Sequence, residues 1–321
     1  MVELFFDAFL LLCFLAQAFV FACLLAYGYL PLPTQWLNRT VSEKLPEGVA
    51  VSARAYALTG DGTIRVEGLR LQADGIEQAI FEANNARIEF AVDWKKDNPL
   101  SLKECVLSEG RLSLPAVYSP SGKHSTILEK IALRLVPVEG GFGVDSFAAR
   151  HEDIRLRGSI DWLWTSEAKE PFDVKERMDL FFKRVGNVLE QKSRFSGLSR
   201  PTILFRISSA EDQSLDISTR LSSRSYDHDK LKAANLTLDA SLSLEEQSLV
   251  TRSSILLEAD SIELPASGTR ASFISAKVER EEWEALLKGE WPDMEVAAET
   301  LEVEGIELES PRIKLSPEAF P

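Results

Sequence analysis

Few residues in this chain have types and spacings that could do chemistry. Three cysteines (Cys13, Cys23, Cys105) and three histidines (His124, His151, His228) are scattered over 321 residues. That usage excludes a disulfide scaffold and a thiolate metal cluster, and it leaves little for imidazole metal chemistry. Asp227-His228-Asp229 has the composition of a base or a metal site. It lies in the polar stretch Ser222–Lys232, which reads as a solvated loop or hairpin tip. Gly140-Gly141-Phe142-Gly143 lacks the Lys-Ser/Thr and the helix start of a phosphate loop, so it reads as a hairpin turn. No serine sits in a nucleophile elbow. The acidic runs Glu245-Glu246 and Glu279–Glu284 read as solvated faces. The chain is therefore read as a non-enzyme with no catalytic residue, metal or cofactor.

The elements that remain are informative. Lys and Arg number 36 against 50 Asp and Glu, a net charge of −14. A nucleic-acid binder needs the opposite sign to displace counterions from phosphates. Hydrophobic residues make up 45%, enough for a large core and too many for disorder. Ala8 to Leu30 carries no charge and one polar side chain, Gln17. As a helix it would extend about 34 Å, sufficient for a hydrocarbon core of about 30 Å. Tyr27, Tyr29 and Trp36 fall at one end, where amphipathic rings favour headgroups, and Pro31 and Pro33 are expected to stop the helix. A cleaved signal peptide fits less well. Glu3 and Asp7 replace its basic start, and the apolar run continues past Ala16-Gln17-Ala18. A lipoprotein signal ending at Cys23 meets the same objection. Charge alone would put the large domain in the cytoplasm, because Arg39, Lys44 and Arg54 follow the span.

Beyond the span the pattern turns to strands. Thr34 to Leu45 predicts a short helix capped by Thr34, with Leu37, Val41 and Leu45 on one face. Alternation then begins at Val49 and recurs through Ile64–Leu71, Ile88–Trp94, Leu112–Leu114, Ile131–Leu135 and Ile154–Trp162. It returns from Thr202 to Leu257, Phe273 to Val278, Leu301 to Val303 and Ile313 to Leu315. Ile64 and Val66 share a face with Leu69 and Leu71 only if a residue is absorbed at Gly68, which predicts a β-bulge. One long amphipathic helix, Asp173 to Lys192, carries the stripe Val174, Met178, Phe181, Val185 and Val188. A short helix is expected around Glu281 to Leu287. Two echoes suggest a repeated strand module. Thr63–Leu71 matches Thr300–Leu308, and Val106–Pro115 matches Leu256–Pro265.

These one-faced strands outnumber the helices that could cover them. The order of elements, the Gly-Asp-Gly turn, the run Ala86–Trp94 ("ARIEFAVDW") and Val106–Pro115 ("VLSEGRLSLP") resemble the AsmA-like (AsmA/TamB-type) family of bacterial envelope proteins. Chorein-type bridge-like lipid-transfer proteins are its distant relatives. The fold class expected is mainly β with a few helices: an N-terminal transmembrane helix, then an elongated, curved, groove-like antiparallel β-sheet with a long helix mid-chain. The expected divisions are 1–33 anchor, 34–165 first β-rich module, 166–199 helical insertion and 200–321 second β-rich module. The resemblance implies an inner-membrane, single-pass protein with its C-terminal domain in the periplasm. It also implies binding or conduction of lipid in support of outer-membrane biogenesis. Candidate groove-lining residues are Ile64, Val66, Leu69, Leu71, Ile88, Phe90, Val92, Leu112, Leu114, Leu301 and Val303. The partners implied are membrane lipids through phospholipid-type acyl chains, and envelope proteins through sheet edges. The rival expectation is a membrane-anchored envelope scaffold or regulator with a closed, dry β core.

Overall fold

Period-two alternation lays down strands, and strands dominate the chain. The computed structural model describes residues 2–43, 45, 48–73, 76, 78–92, 100–119, 121–138, 141–163, 179–186, 196–209, 214–245, 249–280 and 294–315. The chain forms two units, Met1–Pro137 with Phe172–Phe182, and Val138–Pro171 with Lys183–Pro321.

The first unit opens with helix α1 (Val2–Tyr27), strand β1 (Tyr29–Leu32) and helix α2 (Thr34–Ser42). Strands β2 (Val49–Ser52), β3 (Ala55–Thr59), β4 (Ile64–Ala73), β5 (Phe81–Val92), β6 (Leu100–Leu114) and β7 (Ser125–Val138) follow. A 3-10 turn, Ala116–Tyr118, links the last two. β1 pairs with β3, while β2 and β3 lie end to end on β4. An antiparallel meander then runs β4, β5, β6, β7. The expected span is shorter than its apolar sequence. Gly28, at φ +73, ends α1, and Tyr29 and Leu30 already belong to the sheet. A left-handed glycine is the usual helix stop, and it acts here before either proline can. The side chains of α1 are described mainly from Phe14 onward. Among the described residues no helix is long and apolar enough to cross a membrane.

The second unit has β8 (Gly141–His151), β9 (Ile154–Leu163), β10 (Leu198–Ser199), β11 (Thr202–Ser209), β12 (Leu215–His228) and β13 (Leu231–Glu245). It continues with β14 (Leu249–Leu264), β15 (Thr269–Arg280), β16 (Met294–Ala297), β17 (Thr300–Val303), β18 (Ile306–Glu309) and β19 (Arg312–Leu315). β8 and β9 form a hairpin, and β9 runs parallel to β11, the one departure from the antiparallel expectation among the described pairs. β10 and β11 lie end to end on β12, and the meander proceeds through β13, β14 and β15. β15 then carries β16 and β17, which pair with β19 and β18.

Both meanders bend along a line crossing successive strands. In the first the line runs through Arg54, between β2 and β3, then Gly68 (φ 63), Asn84, Glu109 (φ 55) and Lys130 (φ 53). In the second it runs through Arg200 (φ 51), between β10 and β11, then Arg224, Asn235 (φ 50), Asp260 and Phe273 (φ 45). Between β6 and β7 the register shifts around Gly110; across the other pairs pairing lapses at the line and resumes in unchanged register. Glu67 pairs with Asn85 and Leu69 with Ala83. Likewise Ala259 pairs with Ile274 and Ser261 with Ser272. The bulge expected at Gly68 is therefore not an insertion in one strand. Both partners absorb a residue at the same level, which flips the pleat of each and keeps the sheet in step. Gly68 suits this point for a second reason: a Cβ there would stand 3.0 Å from that of Arg54.

The two meanders follow one plan. Each has a broken first strand bearing Arg at the break, Asn on the third strand and a carboxylate on the fourth. Asn84 Nδ2 donates to Glu109 Oε2 (3.0 Å), and Asn235 Nδ2 to Asp260 Oδ2 (2.6 Å). The echo of Val106–Pro115 with Leu256–Pro265 has this structural counterpart, since β6 and β14 are those fourth strands. The echo of Thr63–Leu71 with Thr300–Leu308 has none. Gly68 lies within β4, whereas Glu304 (φ 50) and Gly305 (φ 81) form the two-residue turn joining β17 to β18, with Val303 opposite Ile306. Positive φ at both central residues marks a type I′ turn, the form matched to strand twist.

Helices differ from expectation in detail. Thr34 does not cap α2; Pro33 precedes it without a side-chain cap, and the Thr34 hydroxyl faces the Leu32 carbonyl at 3.5 Å. The mid-chain helix is described only over 179–186, and its buried aromatic is Phe182 (1% exposed), with Phe181 half exposed. Val174, Met178, Val188, the expected helix at Glu281–Leu287 and Trp94 lie outside the described residues.

Left-handed backbone costs an L-residue about 1–2 kcal/mol, and glycine is free of it. Phe273 bears that cost with a side chain 63% exposed, so it has little packing to lose. Phe273→Gly is expected to raise the urea midpoint, a stabilisation of about 1 kcal/mol. Glycine inside an ordinary strand has the opposite sign. Gly68→Val is expected to lower the midpoint, a destabilisation of about 2 kcal/mol.

Candidate functional site

Cross-strand pairing sorts the side chains into rows, because directly opposed residues share a face. In the first unit Leu30, Leu58, Ile64, Ile88, Cys105 and Leu135 form one row. Leu32, Tyr56, Val66, Ala86, Leu107 and Leu133 form the next. Beyond the bend lie Leu69, Ala83, Gly110 and Ile131, then Val51, Leu71, Phe81, Leu112 and Leu128. In the second unit a central row is Ala149, Leu156, Ile203, Leu221, Leu238, Leu257 and Ala276. Phe147, Phe205, Ala240, Ile255 and Val278 lie beside it, with the rings of Phe147 and Phe205 at 5.5 Å.

The reverse face is ionic. Arg54 pairs with Glu67 at 3.2 Å, Arg70 with Glu82 at 3.1 Å, Arg134 with Glu104 at 2.9 Å and Arg220 with Asp239 at 2.6 Å. Such solvated pairs contribute at most about 1 kcal/mol each. Their value here is orientational, since they mark the side that faces water.

The apolar face is covered in part. Over the first strands lies α2. The Asn38 side chain accepts from Ala53 N–H (2.8 Å) and Tyr56 OH (2.9 Å) and donates to the Ala53 carbonyl (3.0 Å). Ser42 Oγ donates to the Val51 carbonyl at 3.0 Å. Beneath it Ala53, Tyr56, Val66 and Ala86 form a dry cluster against Leu37. At the far end Leu114 is fully buried. Nearby in the chain Tyr118 stacks on Phe182 at 5.4 Å and hydrogen-bonds Asp179.

Elsewhere cover is uneven: Ala83, Leu107 and Ile131 are buried as well, and the remaining positions stay partly open. Ile64, Leu69, Leu71, Ile88 and Leu112 are half-buried, as is Leu301, while Phe90 and Val303 are exposed. The side chain of Val92 lies outside the described residues. Of the lining candidates only Val66 and Leu114 are already covered by the protein itself. In the second unit Ile203, Leu221, Leu238, Ile255 and Leu257 are half-buried although they sit in mid-sheet. A dry second layer would bury such positions fully, and among the described residues none packs there. These second-unit residues were missing from the candidate list, although their alternation was readable in the sequence.

The residues with chemical potential do not converge. His228 ends β12, stacks on Tyr226 at 6.2 Å, and its Nδ1 accepts from Lys230 N–H. Ser222–Lys232 is mostly long hairpin strand, with only Asp229 and Lys230 at the tip. Gly141 and Gly143 lie in β8, not in a turn, and Gly140 is outside the described residues. Cys105 faces the apolar row, where burial pushes its thiol up. The Gly-Asp-Gly turn is built as expected. The Asp61 carboxyl is held at about 2 by the Thr59 and Thr63 hydroxyls, the Thr63 N–H and Arg87. Among the described residues no group of three or more His, Cys, Asp or Glu could hold a metal. No family model, curated protein or solved structure matches the chain.

The Tyr118–Asp179 bond fastens the mid-chain helix to the 3-10 turn. Burial and the adjoining carboxylate push the Tyr118 phenol up to about 12. A phenol raised above its unfolded value contributes stability that is complete below about pH 10 and lost as pH rises through about 12. Tyrosine-ring NMR, assigned with Tyr118→Phe, is expected to show this ring titrating last. Asp179→Asn is expected to bring it back toward 10.

Proposed function

We propose that the chain is a membrane-anchored β-sheet protein that holds acyl chains on its apolar face and serves lipid binding or conduction in the bacterial envelope. One observation carries this reading: mid-sheet aliphatic rows remain half-open to solvent in both units. Each methylene moved from water to such a surface gains about 0.8 kcal/mol, so even partial cover of a chain is substantial. The N-terminus supports the anchor. Along α1, Phe14, Phe19, Phe21 and Leu25 are all exposed. Tyr27, Tyr29 and Trp36 stand exposed at its end, where a headgroup layer would receive them. On this reading the protein sits in the inner membrane with its sheet in the periplasm and supports outer-membrane biogenesis, as the AsmA-like resemblance implies.

A second reading, a scaffold acting through sheet edges, is favoured by β18. Its four residues are exposed, Ile306 at 66% and Leu308 at 48%, and it pairs only with β17 among the described strands. In the first unit, β1 carries Pro31, which blunts that strand.

Photocrosslinking in intact cells separates the two. Benzoylphenylalanine at Leu238 is expected to capture lipid, and at Ser241, on the ionic face, to capture none. Protein adducts alone at Leu238, with strong capture from Ile306, would replace the lipid reading with the scaffold. Topology follows from Asp229→Cys at the β12–β13 tip. A membrane-impermeant maleimide is expected to label it on spheroplasts, and labelling only after lysis would place the sheet in the cytoplasm.

A further inference from the structure

Several cations on the ionic face are matched, whereas others, Arg65, Arg111 and Arg157 among them, have no ion pair among the described residues. Arg54, Arg70, Arg87, Lys103, Arg134, Arg206, Arg220 and Arg270 each have a carboxylate within salt-bridge distance. At the bend of the second unit two unmatched cations face each other. Ser199 pairs with Ser225 and Thr202 with Ser222, which sets Arg200 opposite Arg224 at the unpaired position between. The arrangement is fixed from below. The buried Ser223 hydroxyl lies 2.9 Å from the Ser199 carbonyl and 2.7 Å from that of Ser225, tying β12 to β10. Arg155 is brought close on the far side, its N–H donating to the Pro201 carbonyl at 3.0 Å.

Like charges directly opposed destabilise a sheet. Among the described residues neither Arg200 nor Arg224 has an ion-pair or side-chain hydrogen-bond partner. Carboxylates on the adjoining strands β13 and β14 are engaged elsewhere. Asp260 accepts from Asn235, Asp239 pairs with Arg220, and Glu258 adds to the field on Arg220. The first unit makes the contrast plain. There the arginine at the equivalent break, Arg54, faces Gly68 and is neutralised by Glu67 at 3.2 Å. The repeat thus replaces a closed ion pair by an open pair of guanidiniums, on a chain whose net charge is −14.

The two arginines border a shallow cavity of about 280 Å³, together with Ser222, Thr237 and Asn235. Ser222 and Thr237 are cross-strand neighbours, so their hydroxyls stand side by side. Planar guanidinium forks flanked by hydroxyl donors match the oxygens of a phosphate group. We infer that this cavity is an oxyanion site that binds phosphate, either as a free monoester or as the headgroup of a phospholipid. It lies on the ionic face, opposite the aliphatic rows, and does not depend on whether those rows hold lipid.

The test uses the full chain in maltoside micelles and isothermal titration at low salt. The probes are inorganic phosphate, glycerol 3-phosphate and short-chain phosphatidylglycerol. Arg200→Gln with Arg224→Gln is expected to weaken binding at least tenfold, while Arg157→Gln, elsewhere on the ionic face, leaves it unchanged. Arg200→Lys with Arg224→Lys keeps the charge and guards against misfolding; it is expected to retain weakened, salt-sensitive binding. Equal binding of the small phosphates and the phospholipid assigns a soluble ligand, and binding of the phospholipid alone assigns a headgroup. Failure of all three probes to bind the wild type at millimolar concentration would overturn the inference. So would binding that the double glutamine variant leaves intact.

Discussion

The structure depends on one constraint: a bent sheet stays two-faced only if every strand slips its pleat at the same level. A strand has side-chain period two, so absorbing one residue sends everything beyond it to the other face. If a single strand did so, its aliphatics would turn to water beside neighbours that had not. Both meanders meet the condition by placing the slip on adjacent strands in register, from Arg54 to Glu109 and from Arg200 to Phe273, while between β6 and β7 the register itself shifts around Gly110. Val66 and Leu69, Ala86 and Ala83, and Leu257 and Ile262 therefore point the same way despite odd spacing. The cost is left-handed backbone at residues that disfavour it, offset by the apolar surface kept together.

Cover for that surface is supplied at particular places. In the first unit α2 closes the edge through Leu37 and is held by a polar clamp, Asn38 on Ala53 and Tyr56. The clamp matters because Ala53 lies at the break between β2 and β3, where its backbone groups have no ladder partner. One asparagine amide satisfies both. At the other end the aromatic pair Tyr118 and Phe182 adds a second stop. Between these points Ala83, Leu107 and Ile131 are buried, while Ile64, Leu71, Ile88 and Leu112 are left half-buried.

Alternation made most strands legible, together with the Gly-Asp-Gly turn and the phase slip at Gly68, because those signals are local. The other slips were not. Glu109, Lys130 and Phe273 have no propensity for left-handed backbone that a reader could recognise, and tertiary register imposes it on them; Asn235 tolerates it but gives no sign of it within an alternating strand. The polar run Ser222–Lys232 hid two long strands for a related reason: strands with one solvated face need only half their residues apolar, and serines serve the other half. Phe181 and Phe182 are adjacent, so periodicity could not decide between them without the ring of Tyr118. The Val-Glu-Gly echo failed because one tripeptide suits both a pleat slip and a type I′ turn; strand partners decide which forms.

The dimensions of the open face bear on what could cover it. Neighbouring strands lie about 4.8 Å apart, so the row from Ala149 to Ala276, crossing seven strands, extends for about 29 Å. One leaflet contributes about 15 Å to a bilayer core. An acyl chain laid across the strands would thus meet an unbroken aliphatic row, half-buried in its middle from Ile203 to Leu257 and buried at Ala149 and Ala276. A protein strand added at β18 would extend the sheet sideways and leave these rows as wet as before. Occupancy of the face and pairing at the edge are therefore separate questions, and only an occupant lying across the strands removes the apolar area that the fold leaves in water.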